Sequence, residues 1–240
     1  MTVRADDIGF GGLKLLQDTE GFRYGVDAVL VADYSKASPS DTVLDLGSGN
    51  GAAAFVTLGK YAPASVTGIE LQKGLAELAA ESARINGVED RIRFLQGDVK
   101  DIRTLVEGGS FSLVICNPPY GEAGRGLLSE RDASYIARHE TTAALRDFVR
   151  AASYALQPGG RFVLVHRPSR LPDIFEACRA NGLEPKRMRM VAPRPGAAPN
   201  IVLVSAVKGG GKELTAEPTL FVRDEGGAYS EELQKIYNRA

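Results

Sequence analysis

The stretch VLDLGSGNG, residues 43–51, joins a short apolar run to three glycines at alternate positions. An apolar run that ends at glycine is typical of a buried strand, and residues 52–62 behind it have a helical pattern. Gly47, Gly49 and Gly51 allow a tight turn and the close approach of a ligand to bare backbone. The first N–H groups of the helix suit an anionic group. Because ligands of open α/β sheets bind in the crevice at the strand ends, this turn predicts a ligand site.

The same alternation of strand and helix continues to about residue 207. Strand patterns occur at 42–46, 65–71, 91–98, 111–116, 161–166, 185–192 and 200–207. Helical patterns occur at 52–62, 75–87, 102–106, 143–156 and 171–182, and Pro158-Gly159-Gly160 is expected to stop the fourth of these helices. This order predicts an α/β fold with a doubly wound, mostly parallel, seven-stranded sheet. Only the eight residues PRPGAAPN, 193–200, separate the last two strands, so we expect an antiparallel hairpin at one edge.

The chain of 240 residues contains no clear interdomain linker, so we expect a single domain over 1–240. It would comprise an N-terminal cap segment (1–41), the core sheet (42–207) and a C-terminal tail (208–240) with a short final helix.

Composition excludes several classes of protein. Apolar residues make up 44% of the chain, but no run approaches the roughly 18 residues of a membrane span. The first thirty residues do not have the pattern of a signal peptide. Cys116 and Cys178 both lie in apolar surroundings, which predicts buried free thiols and no metal site. We therefore expect a cytoplasmic protein that does not bind a membrane.

The residues at the strand ends narrow the choice of ligand. Glu70 ends the second strand, where a carboxylate can accept both hydroxyls of a ribose, so the ligand is expected to carry adenosine. A nicotinamide dinucleotide fits a G-x-G-x-x-G turn, whereas this turn is G-x-G-x-G with Asp45 in the strand end. The latter pattern resembles the first motif of class I S-adenosylmethionine-dependent methyltransferases. Asp98, after the third strand, resembles the methyltransferase residue that accepts from the adenine amino group. The pattern favours S-adenosylmethionine, with a dinucleotide as the alternative.

The fourth strand ends in ICNPPY, residues 115–120, where adjacent prolines stiffen a turn. The side-chain carbonyl of Asn117 and the backbone carbonyl of Pro118 are two acceptors that can hold a planar NH₂ group. Its nitrogen lone pair can then turn toward a methyl donor, and Tyr120 offers a face for stacking a base. No strong general base is needed, because the amine becomes acidic once it is methylated. The structural alternative is a rigid turn with a buried tyrosine.

The pairing of DLGSGNG with NPPY resembles the amino-methyltransferases, which modify adenine N6, cytosine N4 or glutamine N5. The flanking stretches FRYGVDAVLVADY, ARHE, PRPGAAPNIVLVSAVKGG and YSEEL are similar to those of the tRNA1(Val) adenine-37 N6-methyltransferase family. The resemblance implies a methyltransferase that modifies an adenine in a tRNA anticodon loop. It also implies that Gly25 and Asp27 lie over the methionyl end of the cofactor. From the residues alone, Gly25 allows a turn and Asp27 could cap the following helix.

An RNA substrate directs attention to basic residues. Residues 185–212 contain six bases and no acid, and we expect Arg187, Arg189 and Arg194 to contact phosphates. Arg138 and His139 are expected to order on RNA, with an ordinary exposed His139 as the alternative. The competing functions are protein glutamine N5-methylation, DNA adenine methylation, and a non-catalytic module that binds S-adenosylmethionine or RNA.

Overall fold

The computed structural model describes residues 3–18, 25–118 and 144–238. The strands are β1 Val3–Asp7, β2 Lys14–Asp18, β3 Thr42–Leu46, β4 Ser65–Glu70, β5 Ile92–Gln96, β6 Phe111–Cys116, β7 Leu156–His166, β8 Leu183–Ala192, β9 Ile201–Lys208 and β10 Thr215–Phe221. The helices are α1 Val26–Ser35, α2 Ala52–Tyr61, α3 Lys73–Asn86, α4 Ile102–Leu105, α5 Leu145–Ala155, α6 Leu171–Ala180 and α7 Glu231–Ile236. None of these helices combines the length and apolar character that crossing a bilayer requires.

Eight strands form the central sheet, in the order β10-β8-β9-β7-β6-β3-β4-β5. Strands β3 to β7 are parallel, β9 is antiparallel to both β7 and β8, and β10 is parallel to β8. All strands but β9 therefore end at one edge, which we call the carboxyl edge. Apolar side chains alternate between two cores, with Val43 in one and Leu44 in the other, as a sheet covered on both faces requires. The predicted α/β class and mostly parallel sheet are confirmed.

Two details of the sheet differ from the prediction. The hairpin β8–β9 is antiparallel, but β9 lies inside the sheet, which suits its run of six buried residues from Ile201. The edge is taken by an eighth strand, β10, from the segment predicted to be a tail. The core sheet therefore extends beyond residue 207.

The start of β7 also differs from the prediction. Helix α5 ends at Ala155, and β7 begins at Leu156, before the Pro158-Gly159-Gly160 run. Leu156 pairs with Phe111, whereas Arg161 pairs with Leu113, so the run fills a break in the register. Proline and glycine inside a strand are typical of such a bulge.

The N-terminal segment forms a hairpin, β1–β2, that the sequence did not predict. It packs on α3: Leu16 N–H donates to Ser82 Oγ over 3.0 Å, and Lys14 N–H donates to Asn86 Oδ1 over 2.8 Å. Asn50 Nδ2 donates to the carbonyl of Leu16 over 3.3 Å. The hairpin therefore lies against the glycine turn.

Helix α1 points its N-terminus toward the carboxyl edge. The carbonyl of Ser35, its last residue, accepts from Arg161 Nη1 over 2.6 Å. Arg161 pairs with Leu113, three residues before the end of β6, so the C-terminus of α1 lies away from the carboxyl edge. Asp33, near the same end of α1, forms an ion pair with Lys60 and accepts from Tyr61 at the end of α2. Both helices therefore begin near the carboxyl edge.

Candidate active site

The residues that follow four neighbouring strands, β6, β3, β4 and β5, lie side by side at the carboxyl edge. Leu46, the last residue of β3, pairs with Ile69 on one side and with Cys116 on the other. Glu70 pairs with Gln96 one strand further out. The glycine turn, the residues after Glu70, the residues after Gln96 and the asparagine after Cys116 therefore begin side by side.

The three glycines of the turn serve different needs. All have a positive φ: +71° at Gly47, +57° at Gly49 and +90° at Gly51. A Cβ on Gly51 would lie 2.8 Å from Phe94 Cζ, and one on Gly47 would lie 3.1 Å from Phe148 Cε1. Nothing lies within 4 Å of a Cβ built on Gly49. A Cβ would therefore clash with a phenylalanine ring at Gly51 and crowd one at Gly47, whereas at Gly49 the backbone faces open space.

Glu70 holds the turn in place. Glu70 is 6% exposed, and its carboxylate accepts from Gly49 N–H over 2.8 Å and from Gln72 N–H over 2.9 Å. A carboxylate has about four acceptor sites, so these two bonds do not prevent the group from accepting from ribose hydroxyls. Leu71 follows it with 40% of its surface exposed, unlike the buried apolar residues of β4. This exposed apolar position was not among the residues predicted from the sequence, although its place directly after the strand-end acid was a signal.

Asp45 is a buried acid within this turn. Burial raises its pKa to about 7, the backbone N–H of Ala54 opposes that shift, and the charge of Glu70 adds to it. Within the described residues, Asp45 Oδ2 and the nearby Ser48 Oγ are buried without a hydrogen-bond partner. Unsatisfied buried polar atoms are costly, so they fit a ligand that brings a cationic donor group. Ser48 was not among the residues predicted from the sequence.

The fourth strand places Asn117 next to the glycine turn. The Cys116 thiol donates to the carbonyl of Leu46 over 3.4 Å, and burial together with Asp45 raises the pKa of this thiol. Asn117 and Gly47 directly follow this pair, and adjacent strands lie about 4.8 Å apart. Asn117 is partly exposed and Pro118 is buried. Tyr120, Arg138 and His139 lie outside the described residues.

Asp98 lies one strand beyond Glu70. Gly97 N–H donates to the carbonyl of Glu70 over 2.9 Å, and Asp98 Oδ1 accepts from Lys100 N–H over 2.9 Å. The carboxyl group is half-buried and caps a short turn. It therefore stands at the same edge as Glu70, at a fixed orientation.

The model for the family described as "Methyltransferase domain" matches residues 37–192, more than half of the chain. The chain belongs to this methyltransferase family. Among curated relatives, the tRNA1(Val) (adenine(37)-N6)-methyltransferase of Porphyromonas gingivalis strain ATCC 33277 is 29% identical over 240 residues, covering 96% of this chain and 93% of the relative. The enzyme of the same name from a Flavobacteriaceae bacterium, strain 3519-10, is 27% identical, covering 94% of each chain.

Solved structures resemble the methyltransferase as well. A predicted O-methyltransferase from Agrobacterium tumefaciens, protein Atu636, superposes with a TM-score of 0.74 at 27% identity, covering 89% of this chain and 97% of the other. TrmN from Thermus thermophilus superposes with a TM-score of 0.55 at 23% identity, covering 75% and 48%. The second match supports the fold alone.

Gly25 and Asp27 lie at the start of α1, the end of the helix that points to the carboxyl edge. Gly25 is the N-cap residue with a φ of −92°, and it has no side chain that could cap the helix. Asp27 lies within the first turn, so the alternative that Asp27 is the N-cap residue of α1 is wrong. The place of both residues beside the cofactor stays a prediction.

The two strand arginines of the methyltransferase are committed to internal contacts. Arg187 Nε pairs with Glu217 Oε1 over 2.5 Å, and its guanidinium lies 4.8 Å from the ring centroid of Tyr34. Arg189 forms two parallel bonds of 2.7 and 2.9 Å to Glu232. These contacts attach β10 and α7 to β8, and the contact of both arginines with RNA phosphates stays a prediction. Arg194 is exposed in the β8–β9 loop at the carboxyl edge.

His166, the last residue of β7, has a structural role. It is 4% exposed, its Nδ1 accepts from Arg167 N–H over 2.8 Å, and burial and nearby arginines lower its pKa to about 4. Cys116 and Cys178 are buried free thiols, as predicted. Across the described ranges, no group of three His, Cys, Asp or Glu side chains forms a candidate metal site.

Proposed function

We propose that this methyltransferase uses S-adenosylmethionine to methylate N6 of an adenine in tRNA, in the anticodon loop at a position of the type numbered 37. The observation that carries this proposal is the register of β3 and β6, which aligns Asn117 with the glycine turn. The names of the curated relatives support the choice of substrate, and those relatives match over nearly their whole length.

The residues present fit the cofactor. Gly49 offers open backbone, Glu70 offers carboxylate lone pairs for the ribose, and Leu71 offers an exposed apolar surface for the adenine. Asp45, with an unpaired oxygen, suits the cationic amino group of the methionyl end. When bound, S-adenosylmethionine supplies the methyl group as an electrophilic sulfonium.

On the acceptor side, the chain holds an amino group still. Asn117 Oδ1 and the carbonyl of Pro118 would accept the two hydrogens of adenine N6, which turns the nitrogen lone pair out of conjugation with the ring. Proline at 118 fixes its own φ and restricts the backbone of Asn117 before it, so little reorganisation is required. Water takes the proton released from the methylated amine. Flipping an adenine from a loop costs less than flipping one from a duplex.

O-methylation is the second candidate, because the Agrobacterium protein that matches at a TM-score of 0.74 carries that description. A hydroxyl acceptor needs a base within hydrogen-bond reach. Asn117 is not a base, and His166 is buried with its Nδ1 engaged. The acceptor geometry therefore favours an amine.

The test uses the purified protein with unmodified transcribed tRNA and S-adenosylmethionine carrying a deuterated methyl group. We expect labelled N6-methyladenosine after digestion to nucleosides and mass analysis. Labelled ribose-methylated nucleosides would favour O-methylation. In a parallel reaction with a protein extract in place of tRNA, label on glutamine would favour the N5 alternative. Calorimetry with NAD in place of the methyl donor should show no binding, and tight NAD binding would overturn the cofactor assignment.

A further inference from the structure

The loops after β8 and β10 meet at the carboxyl edge. These two strands lie at the opposite end of the strand order from β3 and β4, which hold the glycine turn and Glu70. Val222 N–H donates to the carbonyl of Ala192 over 2.9 Å, and Arg223 N–H donates to the carbonyl of Pro193 over 3.0 Å. Arg223 is therefore hydrogen-bonded to the residue that precedes Arg194. Strand β10 is four strands from β6, or roughly 19 Å at about 4.8 Å per strand.

Arg223 and Tyr229 form a stacked pair on this edge. The two residues are bridged as antiparallel partners, and the Arg223 guanidinium carbon lies 4.9 Å from the Tyr229 ring centroid. Arg223 Nη1 donates to the carbonyl of Gly227 over 2.6 Å, which fixes the guanidinium. Tyr229 is nevertheless 47% exposed, the largest exposed fraction among the large apolar and aromatic side chains of the described residues.

Hydrogen bonds of the next residue, Ser230, fix the backbone beside Tyr229. Ser230 N–H donates to the carbonyl of Val222, and Ser230 Oγ both donates to the carbonyl of Phe221 and caps α7. The neighbouring loop 193–200 contains three prolines, so it holds Arg194 with little flexibility. Among the described residues, no hydrogen bond or ion pair engages the Arg194 guanidinium.

We propose that Arg194, Arg223 and Tyr229 form a contact surface for single-stranded RNA beyond the reacting adenine, with an unpaired base stacking on Tyr229 and a phosphate meeting Arg194. This inference rests on the proposed function and names the part of the chain that holds the substrate. Aromatic rings and guanidinium planes are the usual stacking partners of unpaired bases. Unlike Arg187 and Arg189, which form ion pairs within the protein, Arg194 is exposed at this surface.

Acidic neighbours limit the positive charge of the surface. Asp224 Oδ1 accepts from Ala228 N–H over 3.0 Å and so shapes the turn, whereas Glu225 is exposed. Glu225 lies two residues from Arg223 and would repel a nearby phosphate. Replacing Glu225 with glutamine should therefore tighten RNA binding by a small factor, about two- to fivefold at low salt.

The test measures the affinity of the full chain for unmodified transcribed tRNA by fluorescence anisotropy, over a series of salt concentrations. Tyr229→Ala should weaken binding roughly 5- to 150-fold, whereas Tyr229→Phe, which keeps the ring, should stay within about twofold of wild type. Arg194→Gln should reduce the salt slope by about 0.7 to 0.9. All three should leave the affinity for S-adenosylmethionine unchanged. KM for tRNA should rise in Tyr229→Ala and Arg194→Gln and stay near the wild-type value in Tyr229→Phe.

Arg84→Gln, at an exposed arginine on α3, is the matched control and should leave the slope unchanged. Thermal unfolding of each variant separates a lost contact from a lost fold, and Arg194→Gln keeps the test decisive if Tyr229→Ala unfolds. If wild type methylates tRNA while Tyr229→Ala and Arg194→Gln bind it as tightly as wild type, the surface is wrong and the function stands. If wild type neither binds nor methylates tRNA, both proposals fall.

Discussion

The Cys116 thiol donates to the backbone carbonyl of Leu46 over 3.4 Å, across the central strands β6 and β3. Both residues are fully buried, and both are the last of their strands. The residues that follow, Asn117 and Gly47, therefore leave the sheet together. The proposed acceptor of the substrate amine and the first glycine of the cofactor turn are thus fixed to each other by the most buried part of the fold.

Replacing Asn117 tests the acceptor role directly. Asn117→Ala removes one of the two acceptors for the amine, so we expect kcat to fall by about 10²- to 10³-fold. The affinity for S-adenosylmethionine, measured by calorimetry, should stay within about threefold. Asn117→Asp keeps acceptor oxygens in the same place and should retain more activity than Asn117→Ala. A normal turnover rate in Asn117→Ala would refute this role.

Asp45 should make cofactor binding depend on pH. Its pKa is about 7 in the cofactor-free protein, and the charged form favours a cationic ligand. Affinity should therefore rise as pH increases through 7 and level off above it. Calorimetry from one unit below to one unit above pH 7, in buffers of different ionisation enthalpy, measures both the affinity and the proton released. In Asp45→Asn, binding should be weaker and independent of pH.

The same residue should affect stability with a defined sign. Because the folded protein holds the Asp45 proton more tightly than the unfolded chain, the contribution is present at low pH and is lost as pH rises through 7. As pH rises from the unfolded pKa value of 3.8 to about 7, the melting temperature of the cofactor-free protein should fall more than that of Asp45→Asn. If the melting temperatures of the two proteins changed equally with pH, the raised pKa of Asp45 would be contradicted.

Gly49 and Gly51 form a matched pair for separating binding from packing. Gly49→Ala places a methyl group in open space at a φ of +57°, so it should cost about 1–2 kcal/mol of stability but reduce cofactor affinity at least about tenfold. Gly51→Ala meets Phe94 at 2.8 Å and should cost more, about 2–4 kcal/mol. Denaturant unfolding and calorimetry on both variants check this order. Equal stability losses would mean that the steric difference is not felt.

Arg189 should affect stability and leave RNA binding alone. Its side chain is 16% exposed and forms a bidentate pair with the half-exposed Glu232, so Arg189→Ala should cost on the order of 1–2 kcal/mol. Arg189→Lys cannot reproduce the two parallel bonds and should recover only part of this loss. Chemical unfolding gives the first result and the salt slope for tRNA gives the second. A slope that falls as far as in Arg194→Gln would restore the RNA-contacting role.

Continuous apolar runs made the centre of the fold predictable. Strands β3 and β6 have the bounds that their sequences predicted, because both are buried on both faces and end at glycine or asparagine. The parallel order follows from the intervening helices. The glycines, Glu70, Asp98 and Asn117 then meet at one edge as a consequence of topology, which is why the candidate site could be placed before any coordinates.

The outer strands of the sheet could not be predicted, because their residues pair with residues far away in the sequence. Strand β10 contains Glu217 and Pro218, which are unusual inside a strand and are tolerated there because β10 is at the edge. The acids that pair with Arg187 and Arg189 lie 30 and 43 residues away, so the sequence showed only a cluster of bases. Local pattern also could not show that the Pro158-Gly159-Gly160 run is absorbed by a strand.

The eighth strand has a consequence for substrate selection. It returns the chain to the edge that holds Asn117. The ladder of the sheet reaches β10, and the hydrogen bonds of Val222, Arg223 and Ser230 with the bridge between Arg223 and Tyr229 hold Tyr229 beside the end of that strand. The enzyme would then select its substrate by distance: an adenine is accepted when a second unpaired base of the folded RNA lies as far from it as Tyr229 lies from Asn117. Lengthening or shortening the loop of the RNA by one nucleotide would misplace one base whenever the other is seated.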